Sequence, residues 1–225
     1  MKHTTWGLVM AAGRGEQIST EIETPFLYLN DRPVLAYSLA AFNQCPEIGG
    51  LVVVIPRERA ESVLGLVQML GLSKVKKIVV GGARRATAMA DGLEHIPEDV
   101  EWVCVHDASR PMVTPAQIAE TAKCAWRHGS GVLAAEITDP RVAARRNKVE
   151  ARLDGGAWAV LSPQTYPREA LAKAYPKTAK SRRNYADDLE AMMAAGVEPR
   201  LVPTTAVSLR IQTAEDLAPV LALMK

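Results

Sequence analysis

The sequence predicts a single α/β domain over residues 1–225, with a doubly wound, mostly parallel β-sheet covered by helices. Short segments rich in Val, Leu and Ile alternate along the chain with segments whose apolar residues recur at helical spacing. This alternation implies right-handed crossovers between parallel strands. Hydrophobic residues make up 48% of the chain but aromatic residues only 5%, so the core is expected to be aliphatic, as is typical of parallel strands buried between helices.

The first four elements follow from simple patterns. Residues 7–12 form a short apolar segment that runs into glycines, which predicts a buried strand followed by a loop. Residues 33–42 carry apolar side chains at helical spacing and predict a helix. Residues 50–55 predict a second buried strand ended by a proline, and residues 59–70 predict the helix that follows it.

The next five elements continue the alternation. Residues 77–80 predict a third strand that runs into two glycines, and residues 85–95 suit a helix. Residues 102–106 predict a fourth strand that ends at an aspartate. Residues 114–128 predict a helix with threonine as its N-cap and proline in its first turn, and residues 131–137 predict a fifth strand.

The segment 138–163 interrupts this rhythm. It holds many charges, a Gly-Gly pair and short alternating stretches, and we interpret it as a β-hairpin arm that protrudes from the domain. Such a hairpin cannot bury its faces alone, so a partner subunit is expected. After the arm, a helix at 185–195 is ended by a glycine, short strands are expected at 200–202 and 208–211, and a helix over 214–224 follows.

Charge and cysteine content narrow the function classes. The formal net charge is +2, which is too small to indicate nucleic acid. Two local clusters of cations, 141–148 and 177–183, are either solvated loops or surfaces that face a phosphate. Three cysteines without paired spacing indicate neither a zinc site nor a disulfide framework, and Cys104 is expected to be a buried thiol. No segment reaches about 18 consecutive apolar residues and no signal-like N-terminus is seen, so we predict a cytoplasmic protein without a membrane partner.

Three predicted strands end in residue types that suit a ligand site: residues 13–15, the pair Gly81-Gly82, and Asp107. Ligands of such sheets bind beyond the carboxyl ends of the strands, so these residues are expected to gather at one edge. The segment 11–15 could present backbone N–H groups to a phosphate chain. It fits a plain strand-to-helix turn equally well, and its spacing matches neither the dinucleotide-binding motif nor the phosphate loop.

Asp107 and Arg110 are the charged candidates near the fourth strand. An aspartate at the end of a buried strand is well placed to hold a divalent cation, whose preferred ligands are oxygens. An arginine three residues further on could grip a phosphate with its planar guanidinium. The alternative is an Asp–Arg pair that only braces the loop.

A series of short stretches, in the same order and spacing, resembles motifs of the 2-C-methyl-D-erythritol 4-phosphate cytidylyltransferases. The strongest is 106–111, His-Asp-Ala-Ser-Arg-Pro, which is similar to that family's HDAARP. The others are 11–15 (AAGxG), 33–35 (the helix start after the first loop), 81–93 (GGxxRxxSVxxGL), 162–165 (the TPQ turn), 187–190 (TDDxxxxE) and 211–217 (KITxxEDL). Together they span nearly the whole chain.

The resemblance implies a reaction and a set of partners. Members of this family have a Rossmann-like nucleotidyltransferase fold with a dimerising β-arm. They join CTP to 2-C-methyl-D-erythritol 4-phosphate and release pyrophosphate, in the non-mevalonate route of isoprenoid biosynthesis. The sugar phosphate attacks the α-phosphorus of CTP, Mg²⁺ accompanies the triphosphate, and the protein positions the substrates and stabilises charge. The implied partners are CTP, a phosphorylated polyol and a second copy of the chain.

Carried over position by position, the resemblance implies three groups of site residues. The implied catalytic residues are Asp107, Arg110 and Arg210, with Asp107 also the metal ligand. The implied nucleotide-binding residues are Ala11, Ala12, Gly13, Arg14, Gly15, Gly81, Gly82, Arg85 and Thr87. The implied substrate-binding residues are Asp139 and Asp187.

Five family positions carry a different residue here. Gln17 and Phe26 stand where the family has an arginine and a lysine that embrace the triphosphate, and Ala88 stands where it has a serine that contacts the nucleotide. Asp154 and Ala186 replace an arm arginine and a threonine on the substrate side. Loss of one preorganised donor to a developing anion typically costs about 10²- to 10³-fold in rate, and Phe26 is expected to desolvate a triphosphate without pairing with it.

These departures leave two hypotheses open. The first is an active cytidylyltransferase, for this acceptor or a related polyol phosphate, in which other cations compensate for those lost; the candidates are Arg14, Arg84, Arg141 and Arg145. The second is a paralogue that has lost catalysis and acts through binding. A dinucleotide-dependent dehydrogenase is disfavoured, because the first loop lacks GxGxxG and no acidic residue closes the second strand.

Overall fold

The computed structural model describes residues 3–12, 23–177 and 185–224. Its strands are β1 (Thr5–Met10), β2 (Tyr28–Leu29), β3 (Arg32–Pro33), β4 (Gly50–Ile55), β5 (Val75–Val80), β6 (Trp102–Asp107), β7 (Gly131–Glu136), β8 (Arg141–Arg145), β9 (Lys148–Leu153), β10 (Trp158–Pro167) and β11 (Leu201–Pro203). Its α-helices are α1 (Val34–Gln44), α2 (Ala60–Met69), α3 (Arg85–Leu93), α4 (Pro115–His128), α5 (Arg168–Ala174), α6 (Asp188–Ala194) and α7 (Leu217–Leu223). No helix in this described part of the chain is long and apolar enough to cross a membrane.

Seven of the strands form one sheet in the order β11-β7-β10-β6-β1-β4-β5. β1 pairs in parallel with β4 and β6, β4 pairs in parallel with β5, and β11 pairs in parallel with β7. Only β10 is antiparallel to its neighbours in this sheet, β6 and β7. The predicted α/β fold with a mostly parallel sheet is confirmed.

The sheet separates two aliphatic cores, as the doubly wound prediction requires. Successive side chains of a strand point to opposite faces. Leu8 of β1 therefore packs in one buried cluster with Met89 of α3, while Val9 packs in the other with Leu39 of α1. Cys104, expected to be a buried thiol, lies in this second cluster with no solvent exposure. Full burial of a Leu or Val side chain contributes roughly 1.5–3 kcal/mol, so both layers of helices are held to the sheet by their apolar faces.

The largest difference from the predicted fold concerns β10. The sequence pattern assigns 158–163 to the arm, but this strand lies inside the sheet between β6 and β7. Its polar residues hide the strand signal, because Ser162, Gln164 and Thr165 are all buried. Each of the three side chains makes a hydrogen bond inside the protein, and a buried polar group is tolerated once it is hydrogen-bonded.

The arm itself consists of β8 and β9, which pair as an antiparallel hairpin. The two connecting residues, Arg146 and Asn147, have φ values of 48° and 64°, as a two-residue type I′ turn requires. Every residue of β9 is exposed. Val142 and Val149 are 48% and 59% exposed, so the hairpin leaves apolar surface uncovered in this chain.

Two further differences lie near the C-terminal part of the fold. Residues 208–211 form no strand; instead the Ser208 carbonyl accepts from Arg110 Nη1 at 2.6 Å, and the Ile211 N–H donates to the Ser109 carbonyl at 3.0 Å. These bonds satisfy the backbone in place of a strand ladder. Helix α5 was not predicted, although its sequence Arg-Glu-Ala-Leu-Ala-Lys-Ala consists mainly of residues with high helix propensity.

Helix boundaries agree best where a cap is encoded in the sequence. The predicted N-cap of α4 is confirmed: the Gln117 N–H donates to Thr114 Oγ1 at 3.2 Å, and the Thr114 N–H donates to Gln117 Oε1 at 3.0 Å. Such a cap contributes about 1 kcal/mol. The predicted helix at 185–195 begins only at Asp188, because Asp187 serves as its N-cap.

Candidate active site

A cavity of about 530 Å³ opens at the carboxyl edge of the sheet, beyond the ends of β1, β5 and β6. The residues that line it are Met10, Ala11, Ala12, Glu23, Thr24, Pro25, Ala83, Arg84, Arg85, Ala86, Asp107, Ser109, Tyr175, Tyr185, Arg210, Ile211 and Gln212. The structure brings Asp107 together with Ala11 and Ala12. Of the other residues expected at this edge, Gly81 and Gly82 are not among the described residues that line the cavity, and residues 13–15 lie outside the described part of the chain.

Gly81 and Gly82 shape the wall behind this cavity. A Cβ added to Gly81 would lie 2.4 Å from Val54 Cγ1 and 3.1 Å from Ala12 Cβ. Only glycine therefore lets the segments after β1 and β5 approach this closely. The Gly82 N–H donates to Asp91 Oδ2 at 3.0 Å, so this amide is already engaged within the protein and is not free for a phosphate.

Two sets of positions that the resemblance assigns to the nucleotide site, other than Arg85, are not found on the cavity wall in the described part of the chain. Neither Thr87 nor Ala88 is among the described residues that line the cavity, and Ala88 is fully buried with its methyl group facing Gly81. Four positions of the first loop lie outside the described residues: Gly13, Arg14, Gly15 and Gln17.

Asp107 and Arg210 form an ion pair on the cavity wall, with Arg210 Nε 2.9 Å from Asp107 Oδ2. The other carboxylate oxygen, Oδ1, accepts from the Ser109 N–H at 3.0 Å and from the Ser109 hydroxyl at 2.7 Å. Burial opposes ionisation, but Arg210 and Ser109 outweigh it and lower the pKa of Asp107. Arg210 remains 43% exposed, and its two Nη groups make no hydrogen bond within the described part of the chain, so they are available to a phosphate.

Arg110 braces the loop beside this pair and is not among the described residues that line the cavity. Its Nη1 donates to the Ser208 carbonyl, and burial lowers the pKa of its guanidinium. The structure shows Arg110 in the bracing role, and its expected grip on a phosphate stays a prediction. Arg110 donates to a backbone carbonyl, whereas the carboxylate of Asp107 is paired with Arg210.

Arg85 lines the cavity and is anchored by a buried carboxylate, Asp188. Arg85 Nη2 lies 2.5 Å from Asp188 Oδ2, Arg85 Nε lies 3.2 Å from Oδ1, and the Tyr175 hydroxyl donates to Oδ1 at 2.7 Å. Asp187, the residue predicted to bind substrate, accepts the Glu190 N–H at 2.8 Å through Oδ1 and caps α6; substrate binding by Asp187 stays a prediction. Helical spacing marks the difference, since Asp188 shares the buried face of α6 with Ala191.

Two tyrosines on the cavity wall were missed by sequence reasoning. Tyr175 and Tyr185 lie edge to face, with ring centroids 6.0 Å apart. The pairing joins the end of α5 to the segment before α6, and no motif or periodicity in the sequence signals it. Together they form an aromatic wall close to the Arg85–Asp188 pair.

Phe26 packs into the core and does not line the cavity, contrary to its expected place beside a triphosphate. The side chain is 9% exposed and shares a buried cluster with Val9. The guanidinium carbon of Arg59 lies 5.0 Å from the Phe26 ring centroid, and Arg59 Nη2 pairs with Glu23 Oε2 at 3.1 Å. Burial against Val9 and contact with a cation are both favourable for an aromatic ring, which explains why it turns inward.

The remaining predicted positions, Asp139, Asp154 and Ala186, are not among the described residues that line this cavity. Asp139 and Asp154 are exposed, and Ala186 donates its N–H to Glu190 Oε2 at 2.6 Å. Of the arginines proposed to compensate for lost cations, Arg14 lies outside the described residues, Arg141 and Arg145 lie on the arm, and Arg84 lines the cavity. Compensation within one chain is therefore open to Arg84 but not to the arm residues.

His106 lies directly before Asp107 and is fully buried. Its Nδ1 is 3.1 Å from Ser162 Oγ, and its Nε2 is 3.2 Å from both the Arg110 carbonyl and Ser38 Oγ. Burial lowers the pKa of His106 to about 4, so the ring is neutral at physiological pH.

A cavity at the carboxyl edge of a doubly wound sheet, lined by Arg84, Arg85 and Arg210, is typical of α/β proteins that bind phosphorylated ligands. Comparison with known proteins identifies the family. Residues 6–225 match the family described as IspD: 2-C-methyl-D-erythritol 4-phosphate cytidylyltransferase, and the chain belongs to this family.

Relatives and solved structures agree with this assignment. The 2-C-methyl-D-erythritol 4-phosphate cytidylyltransferase of Desulforamulus reducens is 32% identical over 97% of this chain and 94% of its own length. The protein of the same name from Alkaliphilus metalliredigens is 30% identical over 93% of this chain and 88% of its own. The crystal structure of the Thermus thermophilus 2-C-methyl-D-erythritol 4-phosphate cytidylyltransferase superposes with a TM-score of 0.76 at 25% identity, over 100% of this chain and 99% of that one. The 4-diphosphocytidyl-2C-methyl-D-erythritolsynthase of Anaerococcus prevotii shares the fold, with a TM-score of 0.85 at 18% identity over 99% of this chain and 96% of that one.

Proposed function

We propose that this protein transfers the cytidylyl group of CTP to the phosphate of 2-C-methyl-D-erythritol 4-phosphate and releases pyrophosphate, a step of isoprenoid biosynthesis. The observation that carries the proposal is the Asp107–Arg210 pair on the wall of a cavity that Arg84 and Arg85 also line. Three guanidinium groups suit the negative charge that two phosphate esters bring together. Relatives that match nearly the whole chain carry this activity in their names.

The reaction needs positioned charge and no protein nucleophile. A phosphate oxygen of the acceptor attacks the α-phosphorus of CTP, the bond to the bridging oxygen of the β-phosphate breaks, and pyrophosphate leaves with that electron pair. Arg210 is well suited to bind the phosphate groups, because Asp107 holds its Nε and leaves its Nη groups free. The lowered pKa of Asp107 keeps this pair ionised at neutral pH. Such preorganised charge is a large source of rate enhancement.

Arg85 supplies a second fixed charge among the residues that line the cavity. Its two bonds to Asp188 set the plane of the guanidinium before a ligand arrives. The side chain nevertheless stays 41% exposed, so it can still meet a phosphate or ribose oxygen. A guanidinium already held in place loses less conformational entropy on binding than a free one.

Mg²⁺ is part of the proposal as the companion of the triphosphate. The described part of the chain holds no cluster of three or more His, Cys, Asp or Glu side chains that could bind a metal by itself. Mg²⁺ often takes only one or two carboxylates and completes its shell with waters and substrate phosphates. Asp107 would supply that single carboxylate, because it is ionised and lines the cavity. Its Oδ1 already accepts two hydrogen bonds from Ser109, so the oxygen left for an ion is Oδ2, which Arg210 Nε contacts from one side. When bound, the ion neutralises charge on the triphosphate.

We also propose that the arm joins two copies of the chain. An isolated two-stranded hairpin is marginally stable in water, and Val142, Val149 and Leu153 are exposed on this one. A second subunit would cover these side chains and bring the charged residues that flank the arm, Asp139 and Asp154, towards the neighbouring cavity. We expect the dimer to work in the cytoplasm, where CTP is available.

The alternative of a non-catalytic binding protein rests on Gln17 and Phe26. Nothing in the comparisons favours it. The burial of Phe26 also removes the argument that an apolar ring stands beside the triphosphate.

A pyrophosphate-release assay with CTP, Mg²⁺ and 2-C-methyl-D-erythritol 4-phosphate tests the proposed function. Arg210→Ala is expected to lower kcat by about 10²- to 10³-fold, the typical cost of removing one preorganised donor to a developing anion. Arg57→Ala is the matched control, because Arg57 is exposed and does not line the cavity. Wild-type activity in Arg210→Ala would reject the role of the pair, and no release by the wild type with any polyol phosphate would reject the function.

A further inference from the structure

His106 is a buried residue that takes no direct part in the proposed reaction. It has no solvent exposure and is not among the described residues that line the cavity. Yet its ring nitrogens meet groups from three separate parts of the fold: Ser38 on α1, Ser162 on β10 and the carbonyl of Arg110 in the loop after β6. A buried polar ring with partners on both sides restrains every element it touches.

The partners of the ring determine which nitrogen carries the proton. The Arg110 carbonyl can only accept, so Nε2, at 3.2 Å, must donate to it. Ser162 Oγ accepts the N–H of Asp107 at 3.2 Å, which leaves its own hydroxyl proton to donate to Nδ1 at 3.1 Å. Every polar atom of the ring is then satisfied in the neutral form with the proton on Nε2.

Two branches lead from this ring to the charged pair in the cavity. Through Nδ1 and Ser162, the first branch ends at the backbone N–H of Asp107. The second branch runs from Nε2 to the Arg110 carbonyl, and the guanidinium of Arg110 then holds the Ser208 carbonyl two residues before Arg210. One imidazole ring is therefore connected to both members of the pair.

We propose that His106, with Nε2 as the donor and Nδ1 as the acceptor, is a positioning residue that sets the relative placement of Asp107 and Arg210 through these two branches. The inference rests on the proposed function, because its kinetic consequence is a change in cytidylyl transfer. It concerns orientation and not binding, since the ring lies behind the cavity wall.

Three variants of the full-length protein separate the branches. His106→Phe fills the space of the ring but removes both. His106→Asn keeps an acceptor near the position of Nδ1 for Ser162, whereas His106→Gln reaches the position of Nε2 and can donate to the Arg110 carbonyl. We expect His106→Phe to lower kcat by about 10²-fold, the typical cost of a small misplacement of reacting groups, while the Kd for CTP in calorimetry stays near the wild-type value. His106→Asn and His106→Gln should each recover part of kcat.

Several results would overturn the proposal. A His106→Phe protein with wild-type kcat would do so, as would variants in which kcat and CTP affinity fall together in step with the melting temperature. If His106→Phe does not fold, the Asn and Gln variants carry the same comparison.

Long-range ¹H–¹⁵N spectra of the imidazoles test the network without any turnover. The chain has four histidines, and the signal missing in His106→Asn identifies His106. A protonated Nε2 with an unprotonated Nδ1 supports the proposal, and the opposite tautomer overturns it. If the wild type releases no pyrophosphate, the proposed function fails, while this spectrum still decides whether the network exists.

Discussion

Replacing Asp188 by asparagine is expected to lower the free energy of unfolding by about 2–3 kcal/mol. Asp188 is 5% exposed and accepts two hydrogen bonds from Arg85 and one from Tyr175. Bonds to charged groups contribute about 1.5–3 kcal/mol each, and breaking a fully buried ion pair costs about 3–5 kcal/mol. Arg85 is 41% exposed, so water screens the guanidinium that loses its partner, and the cost falls below the range for a fully buried pair.

Urea unfolding of wild type and variant measures this loss, provided that the slope of the transition is unchanged. For a chain of this size each kcal/mol corresponds to about 2–4 °C in melting temperature, so a decrease of about 4–12 °C is expected. Asp187→Asn is the matched control one residue away. It keeps the N-cap of α6 because asparagine caps as well as aspartate, and a change within about 0.5 kcal/mol is expected. Equal losses in the two variants would refute the reasoning, as would an unchanged Asp188→Asn protein.

Two other predictions follow from the glycine and histidine environments. Gly81→Ala should cost about 1–3 kcal/mol of stability by overpacking, because its Cβ would lie 2.4 Å from Val54 Cγ1. Gly65→Ala lies on the exposed face of α2, with nothing within 4 Å of the new Cβ, and should instead gain roughly 0.5–1 kcal/mol of stability. Chemical denaturation compares the two variants, and a loss of stability in both would contradict the packing argument. Burial lowers the pKa of His106 to about 4, below the ordinary value of about 6.5. As the pH falls, the imidazole therefore binds a proton in the unfolded chain before it does so in the folded one. The contribution of His106 to the free energy of unfolding is therefore complete above about pH 6.5. It is lost between about pH 6.5 and 4, at up to about 1.4 kcal/mol per pH unit. Stability measured against pH should fall less steeply over this window in His106→Phe than in the wild type, and identical slopes would be incompatible with the assignment.

The fold was predictable wherever one physical signal dominated. β4 is a continuous Val-rich segment ended by proline, and its predicted bounds coincide with the observed ones. Thr114 and Gln117 encode the start of α4 through side chains that satisfy free backbone groups. β10 was missed because its buried serine, glutamine and threonine look like loop residues until their hydrogen-bond partners are known.

Part of the candidate site was likewise predictable from the sequence, and part was not. Sheet topology alone places Asp107 and Ala12 at one edge, since the carboxyl ends of neighbouring parallel strands meet there. The partner of Asp107 could not be predicted from spacing. Arg110 is three residues away but faces a carbonyl, whereas Arg210 is the observed partner and arrives on a segment without regular structure.

Consecutive residues alone were enough to establish the alternation of strands and helices, the edge of the sheet that carries the site, and the resemblance to the family to which the chain belongs. These properties depend on local periodicity and on short motifs. Folding was needed to show that Asp188 rather than Asp187 anchors Arg85, that Phe26 turns into the core, and that His106 joins three elements behind the cavity. Each of these outcomes is a choice between partners distant in the chain, and burial and hydrogen-bond geometry make that choice only once the chain is folded.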